Sequence, residues 1–207
     1  MKKLAIIVPY RNREEHLAEF VPHMNKHLPD ADIFVIEQAD NRPFNRAKLL
    51  NVGVALTNGY DYYAMHDVDM LPEPEVDYSF PDKPTHLATA CSQFDYKMPY
   101  AEYFGGVTLI SRRDMLMADG YSNHFWGWGA EDDEFRNRLL FSGLELDSRP
   151  GRFTSLGHLR DVNWQLHAAN VKRLRTGRPS VDGLSHCNFA IDSYYSGHGF
   201  KLYRVRI

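Results

Sequence analysis

Residues 4–38 read LAIIVPYRNREEHLAEFVPHMNKHLPDADIFVIEQ. The stretch opens with a run of apolar residues at 4–8, which is typical of a strand buried on both faces. Apolar residues then recur at helical spacing within residues 14–27, and a second apolar run follows at 33–38. A strand, a helix and a strand in this order predict a βαβ unit, and therefore an α/β fold with parallel strands at its centre.

Arginines follow the first predicted strand, at the position where α/β folds bind ligands. Ligands of such folds lie at the carboxyl ends of the parallel strands, and Arg11 and Arg13 come directly after this end. Guanidinium groups suit a phosphate or diphosphate, although arginines paired with local carboxylates would explain the same pattern equally well. Phe44 and Arg46 stand at the start of a helix predicted over residues 45–56, where an anion is also favoured.

A pair of carboxylates, Asp67 and Asp69, follows a third strand predicted over residues 62–66. Alternate residues of an extended chain share a face, so both carboxylates are expected on one side. Hard divalent cations that bind together with phosphates take such oxygen ligands. The pattern Asp-X-Asp is common by chance, and its position after an apolar strand is what makes it a candidate metal site.

Residues 125–134 read FWGWGAEDDE, which places two tryptophans and two glycines directly before four acids. Phe135 and Leu139 recur at helical spacing after the acids, so the acids are expected at a helix N-terminus, where the helix dipole tolerates negative charge. A flat aromatic surface beside carboxylates suits a sugar, whose C–H face stacks while its hydroxyls donate hydrogen bonds. The alternative is a solvated helix start next to tryptophans of the core.

Shorter patterns complete the predicted elements. Gly105 and Gly106 precede a strand at 107–110 and indicate close approach of a ligand to the backbone. Further strands are predicted at 86–90, 143–146, 189–191 and 201–207, and further helices at 112–118 and 164–175. No internal repeat or linker divides the chain, so one domain over residues 1–207 is predicted.

Composition narrows the class of protein. The 207 residues carry a formal net charge of −3, which offers no electrostatic case for a nucleic-acid partner. There are two cysteines, Cys91 and Cys187, and this low count favours a reducing compartment. No apolar run approaches the roughly 20 residues that a membrane-spanning helix needs. A soluble protein with no integral membrane segment is therefore expected.

Five motifs of the chain, taken in order, resemble the β-1,4-galactosyltransferase family (glycosyltransferase family 7). They are residues 8–17 (VPYRNREEHL), 44–53 (FNRAKLLNVG), 66–72 (HDVDMLP), 103–107 (YFGGV) and 125–134 (FWGWGAEDDE). The strings AMHDVD and EDDE are most similar to the branch that transfers galactose to protein-linked xylose. The animal members carry a membrane anchor and a stem, and neither is present in this sequence, so a soluble, stemless member is expected.

The resemblance implies a GT-A glycosyltransferase fold, which is a Rossmann-like mixed sheet flanked by helices. It implies an inverting transfer of galactose from UDP-galactose to a sugar hydroxyl, with a β-1,4 linkage. Carried over by position, the residues that hold the donor are Pro9, Arg11, Arg13, Phe44, Arg46, Asp67, Val68, Tyr103 and Gly106. Those that hold the acceptor are Trp128, Glu131, Asp132 and Asp133. Asp132 would be the general base, and Tyr103 matches the position that restricts the donor to galactose.

The metal site departs from the family pattern. The resemblance implies Mn²⁺ held by Asp69 and by the histidine that corresponds to His158. The family completes this site with a second side chain, either a Met three residues before the histidine or a His two residues after it. Here Ser155 and Arg160 occupy those two places, so a weaker or incomplete manganese site is expected.

Two alternatives stay open at this stage. One keeps the fold and uses another UDP-sugar, carrying N-acetylgalactosamine, N-acetylglucosamine or glucose. The other is a non-catalytic relative that binds a sugar or a nucleotide. The expected partners are a UDP-sugar donor and a glycan or glycolipid acceptor, and the oligomeric state is left open. The expected location is the cytoplasm, with attachment to the surface of an acceptor-bearing membrane as an option.

Overall fold

The computed structural model describes residues 2–157, 162–176, 179 and 181–207. Its helices are α1 (Glu14–His27), α2 (Arg46–Leu56), α3 (Arg112–Met117), α4 (Glu131–Phe141) and α5 (Trp164–Leu174), with 3-10 turns at Ser92–Phe94 and Leu184–His186. Its strands are β1 (Leu4–Tyr10), β2 (Asp32–Gln38), β3 (Tyr62–His66), β4 (Met70–Pro72), β5 (Thr85–His86), β6 (Ala90–Cys91), β7 (Val107–Ser111), β8 (Asp147–Ser148), β9 (Arg152–Ser155), β10 (Ala190–Gly197) and β11 (Phe200–Arg206).

The main sheet has eight strands in the order β10-β11-β2-β1-β3-β7-β5-β8. At its centre β1 runs parallel to both β2 and β3, with Ile6 beside Ile33 on one side and Ala64 on the other. Antiparallel β7 and β10 make the sheet mixed. A smaller sheet, β4-β9-β6, lies beside it. The predicted βαβ unit of residues 4–38 is confirmed.

The core has two parts, one on each face of the main sheet. Ile6 and Val8 of β1 belong to the cluster that contains Phe20 and Met24 of α1. The neighbouring residues of β1 point the opposite way, and Ile7 packs into the cluster that contains the apolar residues of α2. Successive side chains of a strand face opposite sides, so a strand covered on both faces must be apolar throughout. This burial accounts for the unbroken apolar run that opens the chain.

Some predicted strands are placed differently by the structure. The strand predicted at 143–146 is wrong, because Gly143 (φ 77°) ends α4 and the Leu144 amide donates back to the Leu139 carbonyl at 3.1 Å. Leu146 packs against the core, and pairing begins only at β8. The strand predicted at 86–90 is two strands, since β5 pairs in the main sheet and β6 in the smaller one.

The Asp-X-Asp segment is a turn rather than an extended chain. β3 ends at His66, and the Met70 amide donates to the Asp67 carbonyl at 3.2 Å. The expectation that residues 67–69 continue an extended chain is therefore wrong, and strand alternation does not set the directions of Asp67 and Asp69. The tight turn leads directly from the main sheet into β4 of the smaller sheet.

Helix α2 lies unusually close to the sheet at Gly53. A Cβ atom built there would lie 2.2 Å from Ile7 Cγ2 and 3.3 Å from Ile36 Cγ1. Only a glycine lets the helix pack at this distance, and the start of α2 takes its position from this contact. Among the described residues, no helix is both long and apolar enough to cross a membrane.

We expect Gly53→Ala to lower the free energy of unfolding. Overpacking a core contact costs about 1–3 kcal/mol, which exceeds the roughly 1 kcal/mol that alanine gains in helix propensity. Denaturant titration measures the change, and Ile7→Ala with the Gly53→Ala/Ile7→Ala double variant serves as the control. Because Ile7→Ala removes the clashing methyl group, the loss caused by Gly53→Ala should shrink in that background. Equal losses in both backgrounds would show that the Ile7 contact does not limit this helix.

Candidate active site

One arginine joins the two acidic motifs of the chain. Arg46, the first residue of α2, donates from Nε to Asp67 Oδ1 at 2.6 Å and from an Nη to Asp132 Oδ1 at 2.7 Å. The same nitrogen lies 3.8 Å from Glu131 Oε1. The Arg46 side chain is only 12% exposed. The turn after β3 and the start of α4 therefore meet at a shared, largely buried charge.

These groups shift one another's protonation. Burial raises the pKa of Asp132 well above its ordinary value and also raises the pKa of Glu131, while the Arg46 charge opposes both shifts. Burial alone would lower the pKa of Arg46, but Asp132, Asp67 and Glu131 together raise it well above its ordinary value. A buried cation among three carboxylates stays charged, and a buried carboxylate with a raised pKa is a suitable proton acceptor.

The acids start a helix as predicted. All four acids, residues 131–134, lie in the first turn of α4. Ala130, just before them, has a left-handed backbone with φ 72°. The exposed N–H groups of the first helical turn favour negative charge there. The Asp132 Oδ2 atom takes no hydrogen bond from any described residue, so it remains available to accept one from a ligand.

The glycines at 105 and 106 let another wall of the site close on Asp132. A Cβ atom on Gly105 would lie 2.5 Å from Asp132 Oδ2 and 2.9 Å from the Tyr103 hydroxyl. Gly106 has φ 76°, and its carbonyl accepts from the Asp67 amide at 3.0 Å. His86 holds this wall from behind by donating from Nε2 to the Gly105 carbonyl at 2.9 Å. Four predicted site residues, Asp67, Tyr103, Gly106 and Asp132, thus meet in one place.

An aromatic loop covers the outer side of the acids. The Tyr100 hydroxyl donates to Asp133 Oδ1 at 2.8 Å, and its ring lies edge-on to Tyr103 at 5.4 Å. Burial, together with the nearby carboxylates, raises the pKa of both tyrosines. Both hydroxyls therefore stay protonated and can donate hydrogen bonds. The contact of Tyr100 was not predicted, because nothing in the local sequence indicates that this loop folds back over α4.

Helix α5 lies along the Trp-Gly-Trp-Gly segment. A Cβ atom on Gly127 would lie 3.2 Å from Leu166, and one on Gly129 would lie 2.8 Å from His167 Nδ1. Both glycines also have positive φ angles, 74° and 101°. The His167 ring stacks on Trp128 with 5.0 Å between centroids. The glycines therefore give α5 room, and His167 supports Trp128, which remains 45% exposed for a ligand.

A buried polar network fixes the segment that leads into α4. Asn51 of α2 donates to Asn123 Oδ1 at 2.9 Å and to the Tyr121 carbonyl at 2.7 Å. Asp182 accepts from the Asn123 amide and, at 3.0 Å, from the Ser122 hydroxyl. These side chains are buried and hydrogen-bonded, so they specify one arrangement of the segment. Sequence reasoning missed them, since isolated polar residues carry no periodic signal.

The remaining predicted donor residues lie near the carboxyl end of β1. The Arg11 guanidinium donates to the Arg42 carbonyl at 2.7 Å and lies 5.3 Å from the centre of the Phe44 ring. Burial lowers the pKa of Arg11. Pro9 is buried within β1, Arg13 precedes α1, and Val68 is buried in the turn after β3. The Phe44 carbonyl accepts from the Gly127 amide at 2.8 Å, which ties this end to the tryptophan segment.

The predicted metal ligands are only partly described. Asp69 lies in the turn after β3, and its carbonyl accepts from the Leu156 amide at 2.8 Å at the end of β9. Ser155 donates to the Met70 sulfur at 3.4 Å. His158 and Arg160 lie outside the described residues. In the parts of the chain that are described, no three His, Cys, Asp or Glu side chains form a cluster that could hold a metal ion.

The metal-ligand chemistry of the described residues nevertheless fits manganese. Asp69 offers a carboxylate, which is a ligand type that Mn²⁺ accepts together with imidazole and phosphate oxygens. Burial, with the charges of both Asp67 and Asp69, raises the pKa of the Cys91 thiol, so both carboxylates lie near that thiol.

Comparison with known proteins decides the family. Residues 1–79 match the model of the N-terminal region of glycosyl transferase group 7, and residues 85–162 match that of the N-terminal domain of galactosyltransferase. The whole chain superposes on the catalytic domain of Drosophila β-1,4-galactosyltransferase 7, solved in complex with xylobiose, with a TM-score of 0.89, 31% identity and 94% of that chain covered. The chain belongs to the β-1,4-galactosyltransferase family.

Two further relatives of this family member are informative. Mouse β-1,4-galactosyltransferase 7 is 40% identical over 206 residues, which are 92% of this chain and 62% of the mouse protein. A variant of the Drosophila enzyme in complex with manganese, UDP-Gal and xylobiose matches with a TM-score of 0.87 and 30% identity, covering 100% of this chain and 94% of that one. The chain spans between half and about three-fifths of the length of the curated relatives it matches. The predicted GT-A fold is confirmed.

We expect Asp132→Asn to stabilise this family member at neutral and alkaline pH. The folded-state pKa of Asp132 lies above its ordinary value, so the stability it contributes is complete at low pH and is lost as pH rises through the folded pKa. The gain should be on the order of 1 kcal/mol per unit of pKa shift. Denaturant titration across pH measures the difference between variant and parent, which should grow as pH rises.

Asp61→Asn provides the control of opposite sign. Its pKa is lowered by hydrogen bonds from the Lys3 amide and the Lys2 side chain, so its contribution to stability is present at neutral pH and lost in acid. This substitution should destabilise the protein at neutral pH. A difference for Asp132→Asn that stays constant or shrinks with rising pH would contradict a raised pKa at Asp132.

Proposed function

We propose that this family member transfers galactose from UDP-galactose to a sugar hydroxyl of a glycan or glycolipid acceptor, forming a β-1,4 linkage with inversion. The observation that carries the proposal is the Asp67–Arg46–Asp132 bridge. It brings the Asp-X-Asp turn, the donor-side motif, to the acidic helix start, the acceptor-side motif. The family relationship and the UDP-Gal complex of the Drosophila relative support this assignment. We also propose that residues 1–207 act as one catalytic domain.

Asp132 is the proposed general base. Inversion requires an acceptor hydroxyl to attack the anomeric carbon in line with the departing UDP, and the hydroxyl must lose its proton as it attacks. Asp132 Oδ1 is held by Arg46, and Oδ2 takes no hydrogen bond from any described residue. Oδ2 would accept the proton. Burial raises the pKa of this carboxyl and makes it more basic, while Arg46 keeps a fraction of it ionised.

The departing UDP would be bound at the carboxyl end of β1. Arg11 and Phe44 lie together there, and Arg13 precedes α1. We propose that Phe44 and Pro9 line the nucleotide pocket, while the arginines meet the phosphates. Asp69, together with His158, would hold Mn²⁺. The bound ion would supply positive charge that stabilises the diphosphate as it leaves.

The acceptor would be held on the other side of Asp132. Trp128 offers an exposed ring face on which a sugar can stack. Glu131 and Asp133 lie on either side of Asp132 in the first helical turn and would accept hydrogen bonds from acceptor hydroxyls. Tyr103 lies beside Gly106 at the donor side, and we propose that its hydroxyl restricts the donor to galactose. Xylobiose is bound by the Drosophila relative, so a β-linked xylose is the first acceptor to test.

A matrix of donors against acceptors tests the assignment. UDP-galactose, UDP-glucose and the two UDP-N-acetylhexosamines would each be combined with xylosides, glucosides and N-acetylglucosaminides, and the product would be identified by mass and linkage analysis. We expect β-1,4-linked galactose as the main product. Transfer of another sugar would reassign the donor, and UDP-galactose binding without turnover on every acceptor would favour a non-catalytic relative.

Asp132→Asn should abolish transfer and leave UDP binding nearly unchanged. Loss of a general base lowers the rate by about 10²–10⁴-fold, while the nucleotide pocket lies at another end of the site. Initial rates and calorimetric UDP titration would measure the two effects. Glu145→Gln is the matched control, because this acid is exposed and pairs with Lys83 away from the site, and it should keep full activity. Parent-like turnover of Asp132→Asn would remove Asp132 from the base role.

Transfer should require a divalent ion. Chelator should stop the reaction, and manganese should restore it at a higher concentration than a site with a third side-chain ligand would need, because Ser155 and Arg160 occupy the two places at which the family supplies that ligand. Ser155→Met should then lower the manganese concentration for half-maximal rate, while Ser185→Met, at a surface turn, should not. Full activity in excess chelator would show that this member works without a metal.

We also propose a cytoplasmic location. Both cysteines are free thiols in the structure, and burial raises the pKa of Cys91 to about 12 and that of Cys187 to about 11. Free thiols suit a reducing compartment. Fractionation of the native source with thiol labelling tests it, and recovery of the protein in an oxidising compartment would refute it.

A further inference from the structure

The outward face of helix α5 has an unusual composition. Trp164, Ala168, Lys172 and Arg175 recur at spacings of four, four and three residues, so they form one stripe along the helix. All four residues are exposed, and Trp164 is 69% exposed. We call these four residues the α5 stripe. An exposed tryptophan thus stands at one end and cations at the other.

The charged residues of α5 are all basic. The helix contains no Asp or Glu, and Arg173, a third cation, lies on another side of α5, with its guanidinium 6.0 Å from the centre of the Phe125 ring. Within the described residues, none of Lys172, Arg173 and Arg175 forms an ion pair. Elsewhere, many exposed cations do pair, as Lys83 does with Glu145 and Arg206 with Asp192. A concentrated positive patch therefore sits on a chain whose formal net charge is −3.

The opposite face of α5 packs against the proposed acceptor side of the site. Leu166 and His167 lie against Gly127 and Trp128, and Asn170 donates to the Trp126 carbonyl at 3.0 Å. The α5 stripe therefore points away from the protein at the place where the acceptor would enter. Whatever binds the stripe is brought close to the acceptor-binding tryptophan.

We propose that the α5 stripe docks this protein on an anionic membrane surface. Lysine and arginine near such a surface are attracted by its negative potential, and tryptophan prefers the boundary between headgroups and acyl chains. The exposed side of a helix is convex and suits a planar bilayer better than a single glycan chain, which needs a groove. The docking is reversible, and it presents the acceptor side of the site to molecules held in the membrane.

Vesicle co-sedimentation of the full chain tests the proposal. Vesicles of phosphatidylcholine alone would be compared with vesicles that also contain phosphatidylglycerol, at low and at high salt. We expect binding to the anionic vesicles only, weakened by salt. Each cation contributes a factor of roughly 5, so the combined variant Lys172→Gln/Arg175→Gln should lower the partition coefficient roughly 25-fold. Trp164→Ala should lower it further.

A variant with equal charge loss elsewhere provides the control. Lys26→Gln/Arg113→Gln removes two exposed cations from other elements and should bind anionic vesicles almost as the parent does. Circular dichroism and UDP titration should show both double variants folded and able to bind nucleotide. Equal loss in the control, or no preference of the parent for anionic vesicles, would overturn the proposal.

A binding assay with a soluble polyanion tests the alternative ligand of the α5 stripe, which is an anionic glycan. Binding of a sulfated polysaccharide by the parent, without any binding to vesicles, would assign the same face to an anionic glycan and refute membrane docking. The vesicle assay does not depend on sugar transfer. Its failure is therefore separate from a failure of the proposed galactosyltransferase activity.

Discussion

Arg46 is the charge around which the site is built. It lies at the start of a helix, is largely buried, and contacts carboxylates from the turn after β3 and from the start of α4. Buried carboxylates without a counter-charge would repel one another and become protonated. With the arginine present, they stay close together and a fraction of them stays ionised. The contact that stabilises the arrangement also sets the basicity that the proposed chemistry needs.

Close approach of backbone to side chain is the second constraint. Gly53 lets α2 pack against the central strand and so places Arg46, while Gly105 lets the wall that carries Tyr103 close on Asp132. Gly127 and Gly129 let α5 lie over the tryptophan segment. At each position a methyl group would push apart elements that must meet. The glycines therefore serve packing first, and the shape of the site follows from that packing.

The polar interior has a related role. Asn51, Asn123 and Asp182 join α2, the segment before α4 and a region late in the chain through buried hydrogen bonds. Such bonds add little net stability but are costly to leave unmade, so they exclude other arrangements of the segment that carries the tryptophans. The aromatic and acidic residues of the site are thus held by a network that itself touches no substrate in the proposed mechanism.

The sequence by itself determined the βαβ core, the helical placement of the four acids and, through its ordered motifs, the family. Apolar periodicity and helix-end chemistry are local, and residues 4–38 and 131–141 carry both. The turn form of residues 67–69, the absence of a strand at 143–146 and the split of residues 86–90 between two sheets were decided by long-range pairing. The bridge from Arg46 to Asp67 and Asp132 was likewise decided by tertiary structure, because it joins residues 21 and 86 positions apart. Contacts of that kind depend on how helices and strands pack, and no local pattern of residues encodes them.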